Sequence, residues 1–453
     1  MASSRKSAAA EADPLYRRFA ATAAATLKPG TAVTLALSGG LDSVVLLDLL
    51  WRYRCATPFP LAAFHFHHGL NPQADHWLSY CRELCARLAV PFSCGHARLT
   101  RQPGDSLEAL AREARYAALA ELDCDYIALA HHGDDQAETV LYRLLRGAGP
   151  HGAAAMLPLR PFAAGCQLWR PLLAEPRTVL ADYAALRGLG WIEDDSNASL
   201  DYDRNYLRHQ VMPVLQARFP AAAATLARNA QHFAEAAGLL DELAKADAGS
   251  TDPHSPDATL PLSLLTDLSL ARQRNLLRWF LARRADLHPD TSQLNELLRQ
   301  LLSARADAVL AVRLGGWMAH SYRGLLYLEP RAEAIPTIEP AWADGATLAP
   351  PSWPGRLSWS PAADGIAAHW LPGLEMRPRE GGERLRLRSD GPSRLLKHLL
   401  QEAGIPPWRR GGWPLLWQGE VLVAVPGVAI AAACRNSTGA GWQPIWQWGR
   451  GNI

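Results

Sequence analysis

From about residue 30 to residue 146, short apolar runs alternate with longer helical stretches, and few folds accept that order. The apolar runs at 33–37, 61–66, 91–93 and 126–130 have the length of buried parallel strands. Between them, 43–53, 74–88, 107–122 and 136–146 carry helical periodicity. Strand alternating with helix at this spacing predicts an α/β fold, a doubly wound parallel sheet. Such sheets bind ligands beyond the C-terminal ends of their strands. The chemically equipped segments fall there: Ser38-Gly39-Gly40 after the first strand, 65–68 after the second, and 131–135 after the fourth.

The rest of the chain differs in texture. At 453 residues it exceeds a single core, and two or three domains are expected. With 49% hydrophobic and 20% charged residues it has the apolar content to bury them. Residues 221–246 and 268–302 read as amphipathic helices, separated by a Pro/Ser/Asp-rich loop at 249–261. A Pro-, Trp- and Gly-rich stretch follows, expected as a linker or irregular strands, and then a small α+β domain from about Glu375. The longest apolar run, 421–434, is broken by Pro426 and Gly427. It is too short for a membrane span of about 20 residues and predicts two short strands around a turn. The Ala run after Arg5 and Lys6 stops at Glu11, Asp13 and Pro14, which leaves no signal-peptide core. Seven cysteines without a dense framework fit a reducing compartment, so a cytoplasmic location is expected.

The net charge of +2 announces no nucleic-acid partner. Only Lys6, Lys28, Lys245 and Lys397 among the 46 basic residues are lysine, and the placement of the arginines matters more than their number. The most informative segment is Ser38-Gly39-Gly40-Leu41-Asp42-Ser43, between a buried strand and a helix. Its glycines permit positive φ and close approach of a ligand to the backbone. Ser38, Ser43 and the helix N-terminal N–H groups offer donors to an anion. Asp42 suits a Mg²⁺ held against a pyrophosphate. No Gly-Lys-Ser/Thr follows, so this is not a Walker loop.

The six residues resemble the pyrophosphate loop of the N-type ATP pyrophosphatases, Ser-Gly-Gly-X-Asp-Ser. Further motifs resemble one family within that superfamily, the tRNA(Ile)-lysidine synthetases. They are His65-Phe66-His67-His68-Gly69-Leu70, the run 108–116, the run 130–139, Arg146-Gly147-Ala148-Gly149, Trp191-Ile192-Glu193-Asp194-Asp195-Ser196-Asn197, and Arg204-Asn205-Tyr206-Leu207-Arg208. Gly381-Gly382-Glu383-Arg384 and 404–408 match as well, so the resemblance runs from about 30 to 430. One departure is His67, where the family usually has Asn.

The resemblance implies an ATP-dependent ligase that converts the wobble cytidine of an isoleucine tRNA with a CAU anticodon into lysidine. The cytosine O2 attacks the α-phosphate of ATP, pyrophosphate leaves, and the ε-amine of free L-lysine displaces AMP from C2. It further implies a catalytic domain over 1–220, a helical substrate-binding domain over 221–330, a linker or irregular strands over 331–371, and a tRNA-binding domain over 372–453. ATP contacts are expected at Ser38, Gly39, Gly40, Leu41, Asp42, Ser43 and His65, with Mg²⁺ on Asp42. Catalytic roles fall to Asp42, Asp135 and Arg204. No membrane is involved, and a homodimer is left open.

Asp135 and Glu138, three apart at a helix start, suit capture of a cationic lysine or simply charge the helix N-terminus. Arg112 and Arg115 suit phosphates or the lysine carboxylate, with Arg112 assigned to lysine; otherwise they form a solvated face with Glu108 and Glu113. Arg204 and Arg208, with Asn205, present a face to the target nucleotide or pair with Asp201 or Asp203. His65, His67, His68, His131 and His132 lack the Cys or carboxylate set of a zinc site, and nucleotide packing is the expectation. No Cys-X-X-Cys exists, which argues against a tRNA thiolase of the same superfamily; Cys81 and Cys85 read as buried apolar residues. A small-molecule amidotransferase and a non-catalytic nucleotide- or RNA-binding module stand beside the thiolase as competing readings of the loop. Near the C-terminus, Arg384, Arg386 and Arg388 alternate with Leu385 and Leu387, and Lys397 follows. That pattern predicts a strand with a tRNA-facing basic side and a buried apolar one.

Overall fold

The computed structural model describes residues 13–449, apart from 70, 98–106, 164, 194–199, 201, 256, 304–309, 332–336, 344 and 437–440. Leu70, Asp194-Asp195-Ser196-Asn197 and Asp201 therefore lie outside the described residues, as do the side chains of Leu107, Glu108 and Ala109. The chain divides into two compact units, 1–239 and 240–453.

The first unit runs α1 (Pro14–Thr26), β1 (Val33–Ala36), α2 (Leu41–Ala56), β2 (Leu61–His67), α3 (Ala74–Arg87), β3 (Phe92–His96), α4 (Leu107–Ala120), β4 (Tyr126–Ala128), α5 (Gly133–Leu145), β5 (Leu159–Ala163), β6 (Cys166–Trp169) and α6 (Arg177–Arg187). It continues through α7 (Asp203–Tyr206), a π-helical turn (Leu207–Val211), α8 (Met212–Arg218) and α9 (Ala222–Asp247), within which the division falls. The sheet order is β3-β2-β1-β4-β6-β5, parallel throughout except for the β5–β6 hairpin. Strand order therefore reverses between β1 and β4, which opens a crevice at their C-terminal ends. The doubly wound sheet expected from the sequence is present.

The apolar pattern explains the layers. β1 buries Val33 and Leu35, and α2 is buried almost all round through Val44, Val45, Leu46, Leu47, Leu49 and Leu50. A helix apolar on every side must be covered on every side. The one carboxylate in that helix core, Asp48, accepts from the Tyr183 hydroxyl at 2.6 Å and from Arg187 Nε and Nη2 at 3.1 Å each, so α6 is pinned onto α2 by a satisfied buried charge.

The second unit opens on helices α10 (Leu270–Ala285) and α11 (Thr291–Ser303). The single helix expected over 268–302 is two, because Asp286 takes a left-handed conformation (φ 50°) that ends α10 and Pro289 follows. The helical middle region also carries an antiparallel sheet: β7 (Thr259–Pro261), β8 (Leu310–Leu314), β9 (Trp317–Tyr322) and β10 (Leu325–Pro330), in the order β7-β10-β9-β8. These strands are short and half-buried, so their alternation is weak beside the helical signal of α11.

The last region holds β11 (Glu339–Pro340), β12 (Gly355–Ala362), β13 (Glu375–Arg377), β14 (Arg384–Arg386), β15 (Ser393–Leu395), α12 (Leu396–Glu402), β16 (Leu415–Gln418), β17 (Val421–Val425), β18 (Ala429–Ile430) and β19 (Gly441–Trp448). A five-stranded sheet, β11-β13-β16-β17-β18, sits beside the long β12–β19 pair. The stretch expected as a linker or irregular strands supplies Ala341, Trp353, Leu357, Trp359, Ile366 and Leu371 to the same core as β16 and β17. β17 and β18 turn around Pro426–Gly427 as expected. Among the described residues no helix is long and apolar enough to cross a membrane.

Inside the second unit the middle sheet is locked to this region. Trp408 stacks on His320 at 4.1 Å, and Arg409 pairs with Glu329, which also accepts from Trp448 Nε1 at 2.8 Å. Burial holds the His320 pKa below its ordinary value, against the pull of Glu329. A lowered histidine pKa contributes stability above the unfolded value of about 6.5 that is lost as pH falls through the folded value. His320→Phe, which keeps the stack, should therefore lose less stability on acidification than the parent. Urea midpoints across a pH series from about 8 to 5 measure it; parallel curves would rule it out.

Candidate active site

The loop between β1 and α2 is wound on two hydroxyls. Ser43 Oγ donates to the Gly40 carbonyl at 2.9 Å and accepts from the Gly39 N–H at 3.1 Å and from the Ser38 hydroxyl at 3.0 Å. Ser43 is buried. The motif alone assigns its hydroxyl to an anion, but the hydroxyl is engaged within the loop and holds it in shape. The first turn of α2 has no side-chain cap at Gly40, which leaves its N–H groups for an anion. Gly39 has φ 91°, and a Cβ there would meet Cys81 Sγ at 3.0 Å and Ile192 Cδ1 at 3.1 Å. Only glycine fits. Its carbonyl accepts from the Ile192 N–H at 2.9 Å, so the 190–193 segment straps the loop from above. Cys81 belongs to this packing, and burial pushes the Cys81 thiol up to about 12 and the Cys85 thiol up to about 11. At those values neither thiol is a nucleophile near neutral pH.

His65 is buried at the end of β2, and its Nδ1–H donates to the Leu37 carbonyl at 2.9 Å, just before the loop. Burial holds its pKa below the ordinary value. His67 packs at a tilt against His96, ring centroids 4.9 Å apart, and its Nε2 lies 3.2 Å from Asp75, while His68 meets the edge of Trp77. These histidines therefore have separate partners. Among the described residues no group of three or more His, Cys, Asp or Glu is placed to hold a metal.

Across the crevice, α5 begins at Gly133, whose N–H donates to the Glu175 carbonyl at 2.7 Å. A Cβ at Gly133 would lie 3.1 Å from that same oxygen. His132 caps the helix: its Nδ1 accepts from the Asp135 N–H, and Asp135 Oδ2 accepts from the His132 N–H at 3.1 Å. This reciprocal pair is a capping box with His in place of Ser or Thr. His132 Nε2 then points to Asp42 Oδ2 at 3.6 Å and Asp135 Oδ2 at 3.4 Å, tying the two sides of the crevice together. Burial works against the charge on His132, but the hydrogen bond to Asp42 and the charges of Asp135, Asp42 and Asp134 raise its pKa. Sequence reasoning missed this role, although His132 followed three residues later by Asp135 carried the signal.

Asp135 and Glu138 do share a face, and both are buried. Their partners within the chain are two arginines. Arg204 Nη2 donates to Asp135 Oδ1 at 3.0 Å and its Nε to Glu138 Oε2 at 3.2 Å. Arg208 donates to Asp135 Oδ1 at 2.9 Å and to Glu138 Oε1 and Oε2 at 2.7 and 2.9 Å. Among the described residues neither arginine forms an ion pair with Asp203, and Asp201 lies outside them. Arg208 sits on the π-helical turn, a backbone irregularity common at functional sites. Burial opposes ionisation of Asp135, yet His132, Arg204 and the His132 backbone N–H hold its carboxyl below the usual range. His131, beside Asp135, is pushed down to about 3 by burial and by the neighbouring arginines 170, 204 and 115, so it is neutral. Arg112 donates to the Tyr116 hydroxyl at 3.4 Å.

On the loop side one carboxylate oxygen is left without a hydrogen-bond partner among the described residues. It is the buried Asp42 Oδ1, with Arg177 Nε at 4.0 Å. An orphaned carboxylate oxygen at the mouth of an anion-binding loop fits a divalent ion shared with a phosphate. In the second unit, Arg384, Arg386, Arg388 and Lys397 are exposed while Leu385 is buried and Leu387 packs on the core; the alternation is as expected, but the strand spans only Arg384–Arg386.

Comparison with known proteins agrees with this layout. Residues 13–215 match a family model described as a PP-loop domain, 260–327 one described as the TilS substrate binding domain, and 374–446 the TilS substrate C-terminal domain. A tRNA(Ile)-lysidine synthase of Nitrosomonas europaea is 41% identical over 432 residues, covering 93% of both chains. The enzyme of that name from an Azoarcus species is 41% identical over 428 residues, again covering 93% of each. A solved U34-tRNA thiolase from Methanococcus maripaludis is similar at 20% identity, covering 49% of this chain and 78% of that one, with a TM-score of 0.41. With two fifths of its residues shared along nine tenths of both chains, the protein belongs to the tRNA(Ile)-lysidine synthase family.

Proposed function

We propose that the protein ligates L-lysine to C2 of the wobble cytidine of the isoleucine tRNA with a CAU anticodon, consuming ATP and releasing pyrophosphate and AMP. The observation that carries this reading is the carboxylate pair Asp135 and Glu138, buried directly across the β1–β4 crevice from a pyrophosphate loop. ATP is held with its phosphates against the N-terminus of α2, where Gly39 and Gly40 let the backbone approach and Ser38 and Leu41 line the turn. Asp42 would hold Mg²⁺, and that ion would supply charge neutralisation at the phosphates. His65 positions the loop through the Leu37 carbonyl. Arg204, with Asn205 and Arg208, faces the cytidine and its adenylate, and its guanidinium stabilises charge developing at the α-phosphate.

In the second step Asp135 and Glu138 bind the lysine ammonium, one of them accepts its proton, and the free amine attacks C2 while AMP leaves. Arg112 takes the lysine carboxylate. We assign catalysis to 1–220, substrate positioning to 221–330 and tRNA binding to 372–453, with 331–371 contributing to the core of the last. Assembly as a homodimer is a separate proposal, read by light scattering of the purified chain. The direct test of function is ATP-dependent incorporation of labelled lysine into bulk tRNA; no incorporation would overturn the reading.

The exposed arginines of β14 and Lys397 are the proposed contacts with the tRNA body. Phosphate contacts release counterions, so affinity falls steeply with salt. Replacing Arg384, Arg386, Arg388 and Lys397 together with alanine, all exposed, should weaken tRNA binding and flatten its salt slope while ATP binding survives. Filter binding across a salt series decides it, and equal slopes for both proteins would refute the assignment.

A further inference from the structure

Beside the carboxylate pair, the first unit gathers arginines without acidic partners. Arg112 and Arg115 both lie over the Tyr116 ring, their guanidinium carbons 4.9 and 5.6 Å from its centroid. The Tyr116 hydroxyl is also within reach of the Arg170 guanidinium, and its ring packs edge-on against Phe162 of β5. Arg160, on that same strand, is exposed. Arg170 is only 6% exposed; its Nη1 donates to the Leu157 carbonyl at 2.8 Å, and its Nε is buried without a partner. Arg143 donates to the Gly152 and Ala155 carbonyls at 2.8 and 3.0 Å. Among the described residues, none of these five guanidinium groups forms an ion pair. Arg143 and Arg170 are each held below the ordinary arginine value, first by burial and then by the charge of Arg112 and Arg160.

Three of these cations meet one phenol and the other two lie within electrostatic reach, and like charges so placed repel. The arrangement is complementary to something negative that is brought in from outside. We propose that Arg160 and Arg170, with Arg143 behind them, form a seat for a backbone phosphate of the RNA strand adjoining the target nucleotide. The proposal rests on the reading of the substrate as tRNA. Three features favour a polynucleotide phosphate over the carboxylate of lysine. One carboxylate is satisfied by one guanidinium fork, and Arg112 already supplies it. The cluster opens to solvent through Arg160 and Arg115, as a groove for a long chain must. His131, neutral beside Arg170 and Asp135, joins the cluster to the carboxylate pair, so a strand seated here passes the catalytic crevice.

The test uses Arg160→Ala in the full-length protein, since Arg160 is exposed and outside the proposed catalytic set. The probe is an anticodon stem–loop RNA, measured by filter binding over a salt series. The expected result is a several-fold weaker affinity at low salt and a salt slope reduced by about one counterion for the lost phosphate contact. Lysine KM at saturating tRNA should not change. An unchanged slope would overturn the seat, and a raised lysine KM with an unchanged slope would assign the cluster to the amino-acid carboxylate instead. Lysine incorporation by the parent protein, scored separately, tells failure of this inference from failure of the proposed function.

Discussion

Asp42→Asn should leave the protein folded and lower its turnover by about 30- to 1,000-fold, the effect of removing one preorganised charge contact worth about 2–4 kcal/mol in the transition state. Asp42 lies in the first turn of α2 but not in its core, and its Oδ1 has no hydrogen-bond partner to lose, only Arg177 at 4.0 Å. Asparagine keeps the shape and an acceptor toward His132 while removing the charge that a divalent ion needs. The measurement is pyrophosphate release with tRNA present, alongside thermal melting. Turnover near that of the parent would show that the loop does not hold the ATP phosphates through Asp42. Ser43→Ala behaves differently, because Ser43 also makes three contacts within the loop. It should lower the melting temperature as well as the rate.

What could be read from the sequence was what local chemistry dictates. The β1 to β4 runs, α2 and the Ser-Gly-Gly loop announce themselves through apolar period and backbone demand, and each is where the pattern put it. The Asp135 and Glu138 face follows from helical spacing alone. What stayed hidden depends on parts of the chain far apart in sequence. Arg204 and Arg208 have an acid next door at Asp203, yet they pair with carboxylates about 70 positions away, because the buried pair gains more from neutralisation than an exposed neighbour does. The tryptophans of 341–371 look like punctuation in a linker until β19 returns, nearly 90 residues later, to pair with β12. Ser43 reads as a ligand donor because its motif does, and only the fold reveals that the hydroxyl turns inward.

Glu138→Gln and Asp135→Asn should each weaken lysine use by about 10- to 100-fold in kcat/KM, the loss of one charge-assisted hydrogen bond to an ammonium, about 1.5–3 kcal/mol. ATP–pyrophosphate exchange in the presence of tRNA should change far less, because lysine enters only after adenylation. Arg204 and Arg208 fill both carboxylates in the free protein, so an incoming ammonium must share or displace them. Both arginines are about one-third exposed, with side-chain exposures of 37% and 34%, so they can turn to water when the acid is lost. The stability cost of either variant is accordingly below the 3–5 kcal/mol of breaking a fully buried pair. Asp135→Asn is the cleaner variant: its amide oxygen can still accept from the His132 N–H, so the start of α5 is preserved while the charge is removed. Kinetics at varied lysine concentration separate the outcomes. An unchanged lysine KM with impaired ATP use would move Asp135 and Glu138 from amino-acid capture to the metal and phosphate side of the crevice.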